Sequence, residues 1–374
     1  MSRNIKSFIG YLILAVSVAS CSLLDSGSDL ADVRSASLES SSPSLEHCSG
    51  DPVCLFDPTS KGIFPVGKRY KTYRHEVNGD VRELNSIIWF PAKHLVDRSP
   101  AEGVFPVVVY THGFPSSKEE ATYIYENLAS HGFIVVSYDG PKSSMYSDVQ
   151  DSQDIINAPL DIKFLISQLE QLSDDSQGDF YGRVNKQQIG VFGISYGAVI
   201  SLLSAYVPPF VDERISFAVL VAPGPFPGIT TADFGADRDI PLLYVQGTND
   251  KLVSYEGVSQ VTFKNAPAPK TFVGINGGTH LGYVEETKDL MGFAVNGHID
   301  AILCALLEEE EDFDQTGCAV FEPSMSPSQQ QDLLLKISSS FLRMNFGVFK
   351  EDQANAKQYF DRVLLNSNKE LFRL

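Results

Sequence analysis

The chain has 374 residues, 43% hydrophobic and 20% charged, with 28 Gly and 20 Pro; this is the composition of a globular protein, not of collagen, a coiled coil or a disordered polymer. The formal net charge is −18, and a surface this acidic repels phosphate backbones, which excludes nucleic acid as an expected partner. The apolar stretch that could enter a membrane is short and N-terminal, which excludes a polytopic membrane protein.

That stretch comes first in the chain. Arg3 and Lys6 precede the apolar run Phe8 to Ala19. The run is too short to span ~30 Å of hydrocarbon as a helix but suits the core of a signal peptide. It ends in Val18-Ala19-Ser20-Cys21. This resembles the lipobox of bacterial lipoproteins, in which the cysteine becomes the acylated N-terminus. The expectation is a signal peptide over 1–20 and a lipid on Cys21. By the same resemblance Ser22, standing where an Asp commonly retains lipoproteins at the inner membrane, implies an exported protein at the outer membrane or cell surface. A Ser-rich tether is expected over 21–60, and a single domain over 61–374.

Four further cysteines form two sequence-local pairs. Of three possible pairings, Cys48 with Cys54 and Cys304 with Cys318 is favoured, since an exported chain keeps disulfides. Such short loops contribute roughly 2–3 kcal/mol each in the chain-entropy model. Zinc-type C-x-x-C spacing is lacking, so no metal is expected. No repeat of solenoid period is visible.

From residue 84 onward, strands and helices alternate. Strands are expected over 84–90, 105–110, 133–138, 188–193, 217–222, 241–246 and 270–275. Helices are expected over 118–130, 155–172 and 195–206, where apolar residues recur at helical spacing. This predicts an α/β fold: a mostly parallel, doubly wound sheet of about eight strands with helices on both faces. Such sheets bind their ligands beyond the C-terminal strand ends, so chemistry is sought there.

After strand 188–193 comes Gly193-Ile194-Ser195-Tyr196-Gly197. This is G-x-S-x-G between a strand and a helix, the setting of an exposed nucleophilic serine. Seven histidines are candidates for its base: 47, 75, 94, 112, 131, 280 and 298. His280 follows the last strand in a glycine-rich loop expected to carry it over Ser195. His298 reads as structural, His131 as a charge suited to a helix end, and His112 as a turn-bracing hydrogen bonder. Asp250 follows strand 241–246 and gives the order Ser, Asp, His. Asp139, Asp233 and Asp237 compete but lack either that order or a strand end. Two backbone N–H groups are expected to hold the oxyanion: Tyr196, after the nucleophile, and Phe114, in the turn after strand 105–110. Pro115 has no N–H to offer. Phe226 and Phe234 are candidate pocket walls. The acidic run 308–314 reads as a solvated loop, because calcium-type spacing is lacking.

These stretches resemble the α/β-hydrolase superfamily, nearest to dienelactone hydrolase-like and platelet-activating-factor acetylhydrolase-like serine hydrolases, with bacterial cutinase-type esterases as relatives. The resemblance runs over about 60–365 and rests on Arg82–Ala92, Pro106–Phe114, Leu128–Asp139, the serine elbow, Gly247–Asp250 and Gly277–His280. It extends to C-terminal helices around Ile337–Phe346 and Ala354–Leu365. Two departures stand out. Ile194 replaces the usual His of the elbow, and strand 217–222 ends in Pro223-Gly224 without the acid that acetylhydrolases carry near there. Dienelactone hydrolases use Cys as nucleophile, so Ser195 implies a different reaction. The resemblance implies a carboxylesterase or lipase-like enzyme working through an acyl-enzyme, without cofactor, on a small-molecule, lipid or polymer ester, and monomeric. A peptidase or amidase of the same fold, or a non-catalytic binding lipoprotein on that scaffold, are the alternatives.

Overall fold

The computed structural model describes residues 56–96, 98–224, 238–285 and 325–374. All five cysteines, Phe226, Phe234, Asp233, Asp237, His298 and the acidic run 308–314 lie outside the described residues.

β1 (Val66–Val77) and β2 (Asp80–Pro91) form an antiparallel hairpin. Asn78 and Gly79 join them with φ of 53° and 87°, the two left-handed residues that a type I′ turn requires. β3 (Phe105–Thr111) and β4 (Ile134–Asp139) are buried at every position, because their Val-rich runs are covered on both faces. Helix α1 (Thr122–Ser130) connects them. A 3-10 turn (Ser152–Ile156) leads into α2 (Ala158–Asp174); Pro159 at the start of α2 fits the first helical turn, where no N–H is missed. β5 (Val184–Ile194), α3 (Tyr196–Tyr206), β6 (Ile215–Val221), β7 (Leu242–Gly247), α4 (Gln260–Asn265) and β8 (Lys270–Ile275) follow. The chain ends with α5 (Pro327–Phe346), α6 (Lys350–Gln358), α7 (Leu364–Ser367) and β9 (Leu371–Arg373).

The strands form one sheet in the order β1-β2-β4-β3-β5-β6-β7-β8-β9. Pairing is parallel from β4 to β8 and antiparallel at both margins. The two-residue period of β3 divides the core. Val107 and Val109 face the layer containing Ile162 and Leu165 of α2 and Leu203 of α3. Val108 and Tyr110 face the layer containing Leu128 of α1 and Leu334, Ile337 and Phe341 of α5.

The doubly wound α/β expectation holds, with nine strands among the described residues where about eight were expected. The unforeseen ones are β1 and β9. β1 is an edge strand, rich in charge and with only three of its twelve residues buried, so it carries no apolar alternation. β9 has only three residues. The helix expected over 155–172 is split at Asn157 into the 3-10 turn and α2.

One sequence expectation is reversed at the end of α1. His131 caps that helix, but its charge does not serve the dipole. Burial, helped by the Arg343 guanidinium, pushes its pKa down to about 4, so the ring is neutral at ordinary pH.

Candidate active site

The parallel strands end in turns that meet above the centre of the sheet. The sharpest follows β5. Ser195 has φ 55° and ψ −122°, a conformation costly for any residue with a Cβ. Its N–H donates to Val221 O of the neighbouring strand at 2.8 Å, which fixes the corner. The flanking glycines are demanded by contact. A Cβ on Gly193 would lie 2.2 Å from Gly197 backbone, and a Cβ on Gly197 would lie 2.0 Å from Thr111 O. The elbow therefore packs against both itself and the end of β3, leaving Ser195 half-buried at the start of α3.

Asp250 and His280 reach the serine from loops that are stitched to each other. Thr248 N–H donates to Ile275 O at 3.0 Å, Asn249 N–H to Gly278 O at 2.9 Å, and Gly277 N–H to Thr248 Oγ1 at 3.0 Å. Gly247 permits the approach, since a Cβ there would meet Gly278 O at 2.3 Å. The glycine-rich histidine loop is thus pinned to its neighbour; Gly278 serves close packing, and Gly277 supplies a φ of 75°.

His280 Nε2 lies 2.7 Å from Ser195 Oγ, and His280 Nδ1 lies 2.8 Å from Asp250 Oδ2. Asp250 can only accept, so Nδ1–H donates to it, and this leaves the Nε2 lone pair for the serine hydroxyl. Asp250 is itself held by three more donors. Leu252 and Val253 N–H donate to Oδ1 at 3.0 and 2.8 Å, and Gln246 Nε2 donates to Oδ2 at 2.9 Å. Gln246 is fully buried, and its Oε1 accepts from Ser259 Oγ at 2.8 Å, which orients the amide.

The competing acid Asp139 is engaged elsewhere. It accepts Lys118 N–H at 3.0 Å and Lys118 Nζ at 2.7 Å.

The turn after β3 faces the elbow. The N–H groups of Phe114 and Tyr196 have no protein acceptor among the described residues, as an oxyanion site requires. The Phe114 and Tyr196 rings lie 5.4 Å apart, and Tyr196 Oη donates to Ser152 O at 3.0 Å. His112 braces this turn. Its Nδ1–H donates to Gly113 O at 2.6 Å, and its Nε2 accepts Gly140 N–H at 3.0 Å. An Nε2 that accepts carries no proton, and burial accordingly lowers the His112 pKa. Ile194, in place of a histidine, is buried among the apolar side chains beneath the elbow.

Sequence reasoning missed three supporting residues: Gln246; Gln330, whose amide binds Thr279 N–H and C=O beside His280; and Glu120, whose carboxylate accepts Gly113 N–H. Gln246 carried a weak signal, as the polar end of an otherwise apolar strand next to Asp250. Gln330 lies 50 residues from His280 and gave none. Glu120, next to Glu119 just ahead of α1, gave none either.

A family model described as PET hydrolase-like matches residues 86–331. The chain belongs to that family. The matched span starts in β2, ends in the first turns of α5, and contains Ser195, Asp250 and His280. Membership agrees with the α/β-hydrolase fold built above. Lipase 1 of Moraxella sp. (strain TA144) is 23% identical over 179 residues, covering 48% of this chain and 49% of that protein. The chain thus spans about half the length of this curated relative. The superfamily expected from the sequence stands, and the family within it is the PET hydrolase-like one.

Proposed function

We propose that this family member is a serine carboxylesterase, exported and anchored by a lipid on Cys21. The observation that carries the enzymatic part is the hydrogen-bonded series Ser195 Oγ, His280 Nε2, His280 Nδ1, Asp250 Oδ2 at the strand ends. Ser195 Oγ attacks the acyl carbon while His280 Nε2 takes its proton. The Phe114 and Tyr196 N–H groups receive the oxyanion, and His280 returns the proton to the departing alcohol. Water, activated by the same imidazole, then releases the acid. Asp250 keeps the imidazole in the required tautomer and opposes the charge it acquires. The substrate is an ester of a small molecule, lipid or polymer.

Export, the anchor and the two disulfides rest on the sequence: the run Phe8 to Ala19, the Ala19-Ser20-Cys21 site and the paired cysteines. A fluorophosphonate probe followed by peptide mapping tests the nucleophile. Label on Ser195 and turnover of a p-nitrophenyl ester series support the reading. A folded protein that takes no label and cleaves no ester in the series overturns it. Palmitate labelling that is lost in Cys21→Ala tests the anchor; equal labelling of both proteins removes it.

A further inference from the structure

Glu120 is almost wholly buried directly behind the turn that carries Phe114. Both its carboxylate oxygens accept Gly113 N–H, at 2.9 and 3.1 Å, and Oε2 also accepts Tyr110 Oη–H at 2.7 Å. A Cβ built on Gly113 would lie 3.0 Å from Glu120 Oε1 and 3.6 Å from Ser195 Cβ, so carboxylate and nucleophile border the same point of the turn. A buried carboxylate so close to a site that must bind a negative charge has an electrostatic cost. Its geometry supplies the compensating use.

Gly113 separates two peptide planes. The plane before it carries Gly113 N–H, which Glu120 holds. The plane after it carries Gly113 C=O, to which His112 donates, and Phe114 N–H, which points the opposite way in a planar trans peptide. Glycine is the residue freest to rotate between such planes. With a clamp on each plane, Gly113 N–H is withdrawn from the cleft and Phe114 N–H is left as the donor. Tyr110, buried in β3, keeps the carboxylate from swinging away.

We infer that Glu120 is a positioning residue, which sets the oxyanion site by binding Gly113 N–H and so fixing Phe114 N–H toward the reacting carbonyl. The inference rests on the serine-esterase reading above.

The test compares wild type, Glu120→Leu and Glu120→Gln by kcat, KM and inhibition by an alkyl trifluoromethyl ketone, whose adduct with serine carries the oxyanion. Losing one oxyanion donor costs about 100- to 1,000-fold, and a donor that is misaimed rather than lost should cost about 30-fold. Glu120→Leu should therefore lose about 30-fold in kcat and in ketone affinity, with KM for a short p-nitrophenyl ester within about twofold of wild type. Glu120→Gln keeps an oxygen for Gly113 N–H and should recover most of the loss. A folded Leu variant with unchanged kcat and ketone affinity overturns the inference, as does a Gln variant no better than Leu. If the Leu variant does not fold, Tyr110→Phe decides with the same readouts: lower ketone affinity at constant KM supports the inference, and unchanged values overturn it. Fluorophosphonate labelling of wild-type Ser195 separates the two readings. Without label the esterase reading fails; with label, a failure in the Glu120 series falls on this inference alone.

Discussion

Gln330, in the first turn of α5, holds Thr279 by both ends of its amide: Oε1 accepts Thr279 N–H at 2.9 Å and Nε2 donates to Thr279 O at 2.6 Å. Thr279 directly precedes His280, so a helix 50 residues downstream fixes the backbone that carries the imidazole. Met325 N–H adds a contact to Gly277 O at 3.3 Å. Gln331 Nε2 donates to Val284 O at 2.7 Å on the other side of the histidine.

Gln330→Leu should therefore weaken both stability and catalysis. Two buried backbone groups lose their partner, at a cost of about 1–3 kcal/mol each. Urea unfolding should show a drop of about 2–6 kcal/mol, and kcat at a temperature where the variant is folded should fall about tenfold. A Leu variant with wild-type stability and kcat would show that the clamp is dispensable.

The strain at Ser195 gives a prediction of opposite sign. Its φ of 55° is unfavourable for serine and accessible to glycine. Ser195→Gly should abolish ester hydrolysis yet raise stability by about 1 kcal/mol, the order of one strained residue relieved. Ser195→Ala should also be inactive but without that gain, because alanine keeps the Cβ. Calorimetry of the three proteins checks the order; Gly below Ala in Tm contradicts the strain argument.

The candidate triad should behave as a unit. Ser195→Ala or His280→Ala alone should reduce kcat/KM on the order of 10⁴-fold or more, and the double variant should be hardly worse. Asp250→Asn should cost somewhat less, since the Asn oxygen can still accept Leu252 and Val253 N–H and keep the side chain at that position. The measurement is turnover of a short p-nitrophenyl ester by variants whose folding is checked by circular dichroism. Full activity in folded Asp250→Asn would remove Asp250 from the mechanism.

How much of this was legible in the sequence follows from where each feature is encoded. The central strands were readable because burial on both faces demands continuous apolar runs such as Phe105–Thr111. Ser195, Asp250 and His280 were readable because strand ends and chain order locate them. β1 was not, since an edge strand has no apolar face to display; yet its turn, Asn78-Gly79, was a local hairpin signal that went unused. Glu120, Gln246 and Gln330 act through hydrogen bonds made in three dimensions, and no periodicity records them. His131 was misread because helix-end position was weighed without the burial and the cation that the fold brings to it.

That residue sets the last prediction. His131 Nε2–H donates to Ser60 O at 2.9 Å, and Arg343 Nη1 lies 3.2 Å from the same nitrogen. Arg343 is held in place by an ion pair with Asp352 and stacks over Phe56 at 4.5 Å, so it cannot easily retreat from a new positive charge. The folded-state pKa of about 4 lies below the ordinary 6.5 of an unfolded histidine. Below 6.5 the unfolded chain therefore binds a proton that the folded chain refuses. The neutral ring's contribution is complete above about pH 6.5 and is lost as pH falls toward 4. The full shift would correspond to about 3 kcal/mol at 1.36 kcal/mol per pH unit, and partial solvent access reduces this to about 1–2. Carboxylates titrate in part of the same range, so the informative quantity is a difference between proteins. Gln at position 131 can still donate to Ser60 O and never charges. The urea-unfolding free energy of wild type minus that of His131→Gln should fall by about 1–2 kcal/mol between pH 7 and pH 4. A difference that stays flat would mean that His131 becomes charged as readily in the folded protein as in the unfolded chain, and one that grows on acidification that it does so more readily.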